Sequence, residues 1–409
     1  MLMLQNELRR RIVSVDLLRG LVMIVMLLDH TREYVNAEAF LFSPTDLSRT
    51  TTALFFTRWI THFCAPTFVF LAGVSIYLQR LRGKSHARLS RFLLTRGLWL
   101  IVLEFTVVRF AFFFDIDYSL LGIAEVIWIF GASMIVMAVI VRFPITVAAA
   151  LGVILIGGHN LLDSLAVSPA MSLGGAPQVT LWQALWIFLH QPGFVPLAEG
   201  ATKVFVAYPL IPWVGVMSAG YALGVVFSWE VERRRKFVLW LGVAAIFAFL
   251  VLRYFNFYGD PAPWQHQNSS WFTVLSFLNT TKYPVSLLFL FMTLGPSLVF
   301  LAFAEKAEGK SVVSRIILTF GRVPLFYFIL QMFVAHLAGV VLGYFAGFDV
   351  GFWFTNFPFA DNIKPPPGYG FSLAATYAAW IAGVVLLYPL CRWYGDLKRK
   401  SGHWLFSYL

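Results

Sequence analysis

Long apolar runs separated by short polar stretches occupy most of this chain. Each run is near or above the roughly 20 residues that a helix needs to cross a bilayer. The pattern predicts an all-α fold, a polytopic membrane helix bundle of about ten transmembrane helices. The predicted spans are 15–35, 53–79, 92–113, 119–141, 143–162, 204–228, 237–256, 283–304, 316–345 and 370–390.

Basic residues concentrate in every second connection between these spans. Cytoplasmic loops carry the excess of Lys and Arg in membrane proteins, so this alternation predicts that both termini are cytoplasmic. The residues on the predicted cytoplasmic side are Arg9, Arg10, Arg11, Arg80, Arg82, Lys84, Arg88, Arg91, Arg142, Arg233, Arg234, Arg235, Lys236, Lys306, Lys310, Arg315, Lys398, Arg399 and Lys400.

Composition supports a membrane class and argues against nucleic acid as a partner. Of the 409 residues, 59% are hydrophobic and 12% are charged, whereas soluble domains are nearer one-quarter charged. The net charge of +11 lies in short loops, as the positive-inside rule expects. Cys64 and Cys391 lie in or beside apolar runs, so no disulfide framework is predicted. We expect no cleavable signal peptide and one integral membrane domain over residues 1–409.

The predicted outer connections are longer than the inner ones. The segment 163–203 contains VTLWQALWIFLHQPG, which predicts a short helix lying at the membrane interface. The segments 257–282 and 347–369 are polar and rich in proline. Long ordered loops are often functional, so they are expected either to form the outer side of a site or to serve as connectors.

The first span places ionisable residues along one helix face. Arg19 and His30 are about three turns apart, and therefore share a face roughly 16 Å long. Ionisable groups within a membrane helix are costly and indicate a functional site by default. The alternatives are an Asp16–Arg19 ion pair that anchors the helix start, and a His30 imidazole that donates to a neighbouring helix. Asp29 could orient the imidazole or face elsewhere.

The second span carries a comparable set near the predicted outer surface. Arg58, Trp59 and His62 share about a third of the helix circumference, and Pro66 predicts a bend. His62 is expected at a depth similar to that of His30. A metal site would need a third ligand, and Asp29 is the one nearby candidate, so no metal is predicted.

Other spans add candidates of the same kind. Arg322 and His336 lie on one face of the ninth span, where His336 fits a core imidazole as well as a functional one. Arg109 and Glu125 are predicted to form a structural ion pair. Lys282 and Tyr283 lie near the outer surface, where anchoring at the interface is the alternative for Tyr283. Arg96 is expected near the cytoplasmic surface.

Five segments follow one another over roughly residues 10–390: SVDLLRG followed by His30, THFCAPTFVFLAGVSIYL, YPLIPWVGVMSAGYALG, KYPVSLLFLFMTLGP and GRVPLFYFILQ. In this order they resemble the heparan-alpha-glucosaminide N-acetyltransferase family, in its bacterial branch, within the wider transmembrane acyltransferase superfamily. Two positions depart from the family. In the lysosomal enzyme of the family, the position that matches His30 looks like asparagine, and the catalytic histidine lies in the following outward segment. Relatives often carry histidine at the position that Gln331 occupies here.

The resemblance implies acetyl-CoA from the cytosol as donor and a sugar, amine or hydroxyl acceptor on the far side. It implies that His30 is the catalytic base, with His62 as the alternative and Asp29 beside them. The donor phosphates are expected to meet Arg19, Arg96 and Arg322, and Asp16, beside Arg19, is the fourth residue predicted for the donor site. The acceptor is expected to meet Arg58, Trp59, Lys282, Tyr283 and His336.

We therefore expect a multi-pass acyltransferase of a cell inner membrane, with the lipid bilayer, an acyl donor and a small-molecule or glycan acceptor as partners. A homodimer stays an open alternative to a monomer. The competing function is a transporter or channel for a small anion or lipid, because the same intramembrane charges would serve it.

Overall fold

The computed structural model describes residues 12–167, 179–197, 202–307, 309–359 and 363–401. Arg9, Arg10 and Arg11, whose placement was predicted above, lie outside these residues, as do parts of the predicted outer connections 163–203 and 347–369. The described chain is mostly helical. Its helices are α1 Val13–Val35, α2 Thr52–Thr61, α3 Cys64–Leu81, α4 His86–Leu103, α5 Arg109–Phe113, α6 Val126–Ile140, α7 Ile145–Gly158, α8 Leu181–Leu189, α9 Leu210–Leu223, α10 Val231–Phe255, α11 Ser270–Leu278, α12 Leu287–Ala304, α13 Val312–Gly321, α14 Pro324–Phe345 and α15 Leu373–Ser401.

Within the described residues, seven helical segments are long and apolar enough to cross a membrane. The first helix, α1, is 23 residues long but is more polar, because it carries Asp16, Arg19, Asp29, Arg32 and Glu33. The seven segments are Thr52–Leu81, Ile145–Leu165, Leu210–Ser228, Val231–Phe255, Leu287–Ala304, Pro324–Phe345 and Leu373–Ser401. The chain is thus a multi-pass membrane protein.

Three short strands accompany the helices, and β1 and most of β3 lie where the sequence predicted helix. They are β1 Leu120–Ala124, β2 Gly193–Leu197 and β3 Thr202–Val206. The order is β1-β3-β2, with β1 parallel and β2 antiparallel to β3. The predicted spans 119–141 and 204–228 therefore begin too early. Their apolar first residues form strands, because short apolar runs fit a buried strand as well as a helix.

Two other predicted helices are divided. The run 53–79 breaks between Thr61 and Cys64, just before Pro66, which lies in the first turn of α3 where its missing N–H is not needed. The run 316–345 breaks at Arg322, and Pro324 starts α14. The short helix predicted in 163–203 is confirmed as α8, which begins with a capping box of Thr180 and Gln183.

The first helix lies at the centre of the bundle, packed against α3, α12, α13, α14 and α15. Where α1 meets α13, the backbone of one helix lies directly against the backbone of the other. A Cβ atom on Gly20 would lie 2.0 Å from the Ile317 carbonyl oxygen, and one on Gly321 would lie 2.0 Å from the Asp16 carbonyl oxygen. Glycine at both positions lets the backbones touch, as in other membrane helix pairs.

Candidate active site

A cluster of charged side chains surrounds the C-terminal end of α1. Asp29 is held from two sides, by the Arg58 guanidinium of α2 and by Arg32, whose Nη2 lies 3.2 Å from Asp29 Oδ1. The side chains of Asp29 and Arg58 are each only 11% exposed. Buried charges require such pairing, so α1 and α2 are joined at this point by an ion-pair network.

His30 lies beside this network. Its Nδ1 atom is 3.4 Å from Glu33 Oε2, one turn further along α1, and its ring meets Phe328 edge-on at 6.4 Å. The imidazole side chain is 12% exposed and that of Glu33 is 36% exposed, so the pair is within reach of a small molecule. Asp29 and Glu125 also act on His30 electrostatically. Such a carboxylate partner orients an imidazole and leaves its other nitrogen for chemistry.

His62 lies where α2 ends, close to the same charges. It is buried, its ring centroid is 5.1 Å from that of Phe289, and Arg58, Lys282 and Asp29 interact with it electrostatically. In the described part of the chain, its Nδ1 atom has no hydrogen-bond partner. Both predicted candidates for the base therefore adjoin Asp29, His30 from α1 and His62 from α2.

Aromatic and basic side chains from the neighbouring connections complete this cluster. The Lys282 ammonium lies 5.1 Å from the Tyr283 ring and 5.9 Å from the Tyr208 ring. Tyr283 is 39% exposed, which leaves part of its ring accessible. Trp59 is directed elsewhere, because its indole N–H donates to Met292 Sδ at 3.2 Å. Three of the predicted acceptor residues, Arg58, Lys282 and Tyr283, thus come together.

The predicted ion pair between Arg109 and Glu125 is wrong. Arg109 donates to the backbone carbonyl groups of Leu120, Asp115 and Asp117 and to Asn356 Oδ1 at 3.0 Å. It fixes the loop before β1.

Glu125 faces the other way, toward the cluster, where Glu33, His30 and Lys282 act on it electrostatically. It sits at the start of α6, and Glu104 accepts the nearby Trp128 N–H at 2.6 Å. A carboxylate at a helix start satisfies its unpaired N–H groups, so Glu104 fixes the end of α6 that carries Glu125. Glu33 and Glu125 are site residues that sequence reasoning missed.

A cavity of about 610 Å³ opens at the other half of α1, a size that suits an organic ligand. Basic side chains line one part of it: Arg19, Arg82, Lys84 and Arg96. Apolar side chains line the rest and lead towards His30: Met23, Met26, Phe68, Leu100, Val126, Phe130, Met134 and Phe328. Phe328 contacts the His30 ring and Val126 follows Glu125 in the chain, so the cavity reaches the neighbours of the charged cluster.

The basic part of this cavity has a definite arrangement. Arg19 donates to Asp16 at 2.9 Å, which confirms the predicted ion pair, and to Ser75 Oγ at 2.9 Å. Lys84 donates to Gln79 Oε1 at 2.6 Å, and burial together with the nearby Arg96 lowers the pKa of its ammonium group. Arg82 and Lys84 are additions to the predicted Arg19 and Arg96. They belong to the turn after α3, which lines this cavity.

Two predicted site residues lie outside both regions. Arg322 lines a different cavity, between α13 and α15. His336 is fully buried, stacked 3.8 Å from the Phe114 ring and 4.6 Å from the Tyr34 ring, and its Nδ1 is 3.1 Å from the Ala111 carbonyl oxygen. This is the environment of a core imidazole. Among the described residues, no group of three His, Cys, Asp or Glu side chains is arranged to hold a metal ion.

Comparison with known proteins gives one family. The family model described as "Heparan-alpha-glucosaminide N-acetyltransferase, catalytic" matches residues 11–253. That range includes His30, His62 and the four basic residues of the cavity, Arg19, Arg82, Lys84 and Arg96. No curated protein matches the chain.

Proposed function

Because this chain belongs to the heparan-alpha-glucosaminide N-acetyltransferase family, we propose that it transfers an acetyl group from acetyl-CoA to an amine or hydroxyl acceptor across a cell inner membrane. The donor lies in the basic cavity and the acceptor at the charged cluster. One observation supports this most directly: α1 lines the cavity with Arg19, Met23 and Met26, and three residues later presents Asp29 and His30. A single helix therefore joins a place for an anionic donor to a place for proton transfer.

The charges at each end of α1 suit the two substrates. Coenzyme A carries phosphate groups, for which Arg is the preferred partner and Lys a second choice. Arg19, Arg82, Lys84 and Arg96 supply four cations at one end of the cavity. The Met and Phe side chains beyond them suit the less polar pantetheine arm, which carries the thioester. The positive-inside rule places the basic end in the cytoplasm, where acetyl-CoA is made available, with both termini on that side.

The chemistry assigns His30 the role of general base. The acceptor nitrogen or oxygen attacks the thioester carbonyl carbon, and His30 takes the proton that the acceptor releases. The carbon–sulfur bond then breaks, and the coenzyme A thiolate leaves and takes up a proton. Glu33 holds the imidazole in its orientation, and Asp29 holds Arg58 and Arg32 around the acceptor. His62 is the second candidate for the base, because its Nδ1 atom faces no hydrogen-bond partner in the described residues.

The first test is a titration of detergent-solubilised protein with acetyl-CoA, followed by thermal unfolding. A ligand that binds only the folded state stabilises it by about 2.7 kcal/mol at a hundred times its Kd. We expect Arg96→Gln to weaken acetyl-CoA binding about tenfold, because a hydrogen bond to a charged group is lost. Arg322→Gln is the matched control, since it removes an arginine that the sequence also predicted for the donor but that lies in another cavity. Equal effects of the two substitutions, or no stabilisation of the native protein, would overturn the assignment of the donor site.

The second test separates an enzyme from a transporter. Transfer of acetyl groups to a panel of amino sugars and hydroxylated sugars needs no sealed compartment, so we expect turnover in detergent. Movement of solute across proteoliposomes with no thioester cleavage in detergent would favour the transporter.

A further inference from the structure

A second and larger cavity, of about 1030 Å³, lies between α13, the start of α14 and the end of α15. Five basic residues and one acidic residue are among those that line it. Asp396 is the acidic one and is paired with Arg399 at 2.8 Å. The other four basic residues are Arg315, Arg322, Arg392 and Lys398. The cavity thus carries a clear excess of positive charge.

A wall of backbone separates this cavity from the proposed donor cavity. Arg322 and Val323 line the second cavity, whereas Pro324 and Leu325, the next two residues, line the first. On the same side, α13 is pressed against α1 through Gly321, which leaves no room for even a methyl group. A ligand in the donor cavity therefore has no direct route to these cations, and they need another partner.

Three of the four guanidinium groups that line this cavity are not neutralised by a carboxylate among the described residues. In the described residues, Arg315, Arg322 and Arg392 form no ion pair with a carboxylate, and all three are exposed. Arginine clusters of this kind bind phosphate through paired N–H groups. The ligand is therefore expected to be an anion, and a phosphate in particular.

Exposed apolar side chains adjoin the basic ones. Val312 lines the cavity and is 63% exposed, the neighbouring Val313 is 66% exposed, and Trp393, next to Arg392, is 61% exposed. Tryptophan at this level is typical of the membrane interface. A soluble phosphate would leave these apolar surfaces in water, whereas a phospholipid would cover them with its acyl chains.

We propose that this second cavity binds the phosphate headgroup of an anionic phospholipid from the surrounding leaflet. Basic pockets between transmembrane helices at a membrane surface recognise such headgroups. A lipid bound here contacts the junction of α13 and α14, whose other side forms the donor cavity. The proposal does not depend on the acyltransferase reaction.

The test compares thermal unfolding of the delipidated protein with added phosphatidylglycerol or phosphatidylcholine. We expect stabilisation by phosphatidylglycerol and little by phosphatidylcholine. The variant Arg322→Gln/Arg392→Gln should bind phosphatidylglycerol at least tenfold more weakly, because each basic residue near an anionic lipid surface adds about a factor of five. Arg322→Lys/Arg392→Lys, which keeps both charges, should retain most of the binding.

Three further measurements separate the alternatives. Equal unfolding midpoints of both variants and the native protein in phosphatidylcholine would show that the fold is intact, as exposure of both arginines leads us to expect. Equal stabilisation by inorganic phosphate at the same concentration would overturn the lipid in favour of a soluble anion. A weakening of acetyl-CoA binding in Arg322→Gln/Arg392→Gln as large as in Arg96→Gln would overturn the proposal and make the cavity part of the donor site.

Discussion

Two regions of this protein carry the same sequence pattern, an arginine followed by a histidine at helical spacing, in opposite surroundings. In α1, Arg19 lines the basic cavity and His30 lies among carboxylates and cations. In the second region the helix breaks, so Arg322 ends α13, the predicted shared face is wrong, and His336 of α14 is stacked between aromatic rings. Residue spacing determines which side chains share a helix face, whereas the elements packed against that face determine what those side chains can do.

The neighbours explain the contrast. The C-terminal end of α1 meets Arg58, Glu125 and Lys282, which come from three separate elements and are all ionisable. The middle of α14, around His336, meets Phe114, whose left-handed backbone ends α5, together with Tyr34 and Trp353. A base needs both a route for its substrate and a partner for its charged form. Of the two histidines, only His30 has both an accessible route for a substrate and a carboxylate partner for its charged form.

The largest expected effect is on catalysis. His30→Ala should lower the rate of acetyl transfer by about 10²–10⁴-fold, which is the usual contribution of a general base. Stabilisation by acetyl-CoA should persist, because His30 does not line the donor cavity. Initial rates and the acetyl-CoA thermal titration measure the two properties on one preparation.

His62→Ala is the companion variant, because His62 adjoins the same charges. Full activity in His30→Ala together with loss in His62→Ala would move the base from α1 to α2.

The second effect concerns stability. Asp29→Asn leaves Arg58 and Arg32 beside a neutral amide, and breaking a buried ion pair costs about 3–5 kcal/mol. We expect a free energy of unfolding lower by about 3 kcal/mol, because the side chains are only partly shielded from water. The double variant Asp29→Asn/Arg58→Gln should recover part of the loss, since it removes the unpaired cation. Strictly additive effects of the two substitutions in chemical denaturation would contradict the ion-pair network.

Much of the fold follows from apolar periodicity, and its failures have physical reasons. Helices α10, α12 and α15 cover most of their predicted spans, because lipid requires long apolar helices, although α15 continues to Ser401 instead of ending at 390. The strands β1 and β3 were absorbed into predicted spans, since LLGIA and VFV are apolar in either structure. The break before α14 was marked only by Pro324, which is as common at a helix start as at a kink.

The site was less predictable than the fold. Arg19, Asp29 and His30 were found because they stand out in an apolar helix. Glu125 was assigned to Arg109 on depth alone, whereas the loop carbonyl groups compete for that guanidinium. Arg82 and Lys84 resembled ordinary loop residues, because the pattern of charges along the chain does not show which turn lines a cavity.

The smallest expected effect tests the other side of the comparison. His336→Phe keeps an aromatic ring between Phe114 and Tyr34 but gives up the hydrogen bond to the Ala111 carbonyl oxygen, so the free energy of unfolding should fall by only about 1 kcal/mol. Acetyl transfer should be unchanged within about twofold. His336→Ala, by contrast, removes the ring and should cost about 3 kcal/mol through the cavity that it leaves. Loss of transfer in a folded His336→Phe protein would show that the imidazole itself takes part, and the two histidines would then no longer differ in kind.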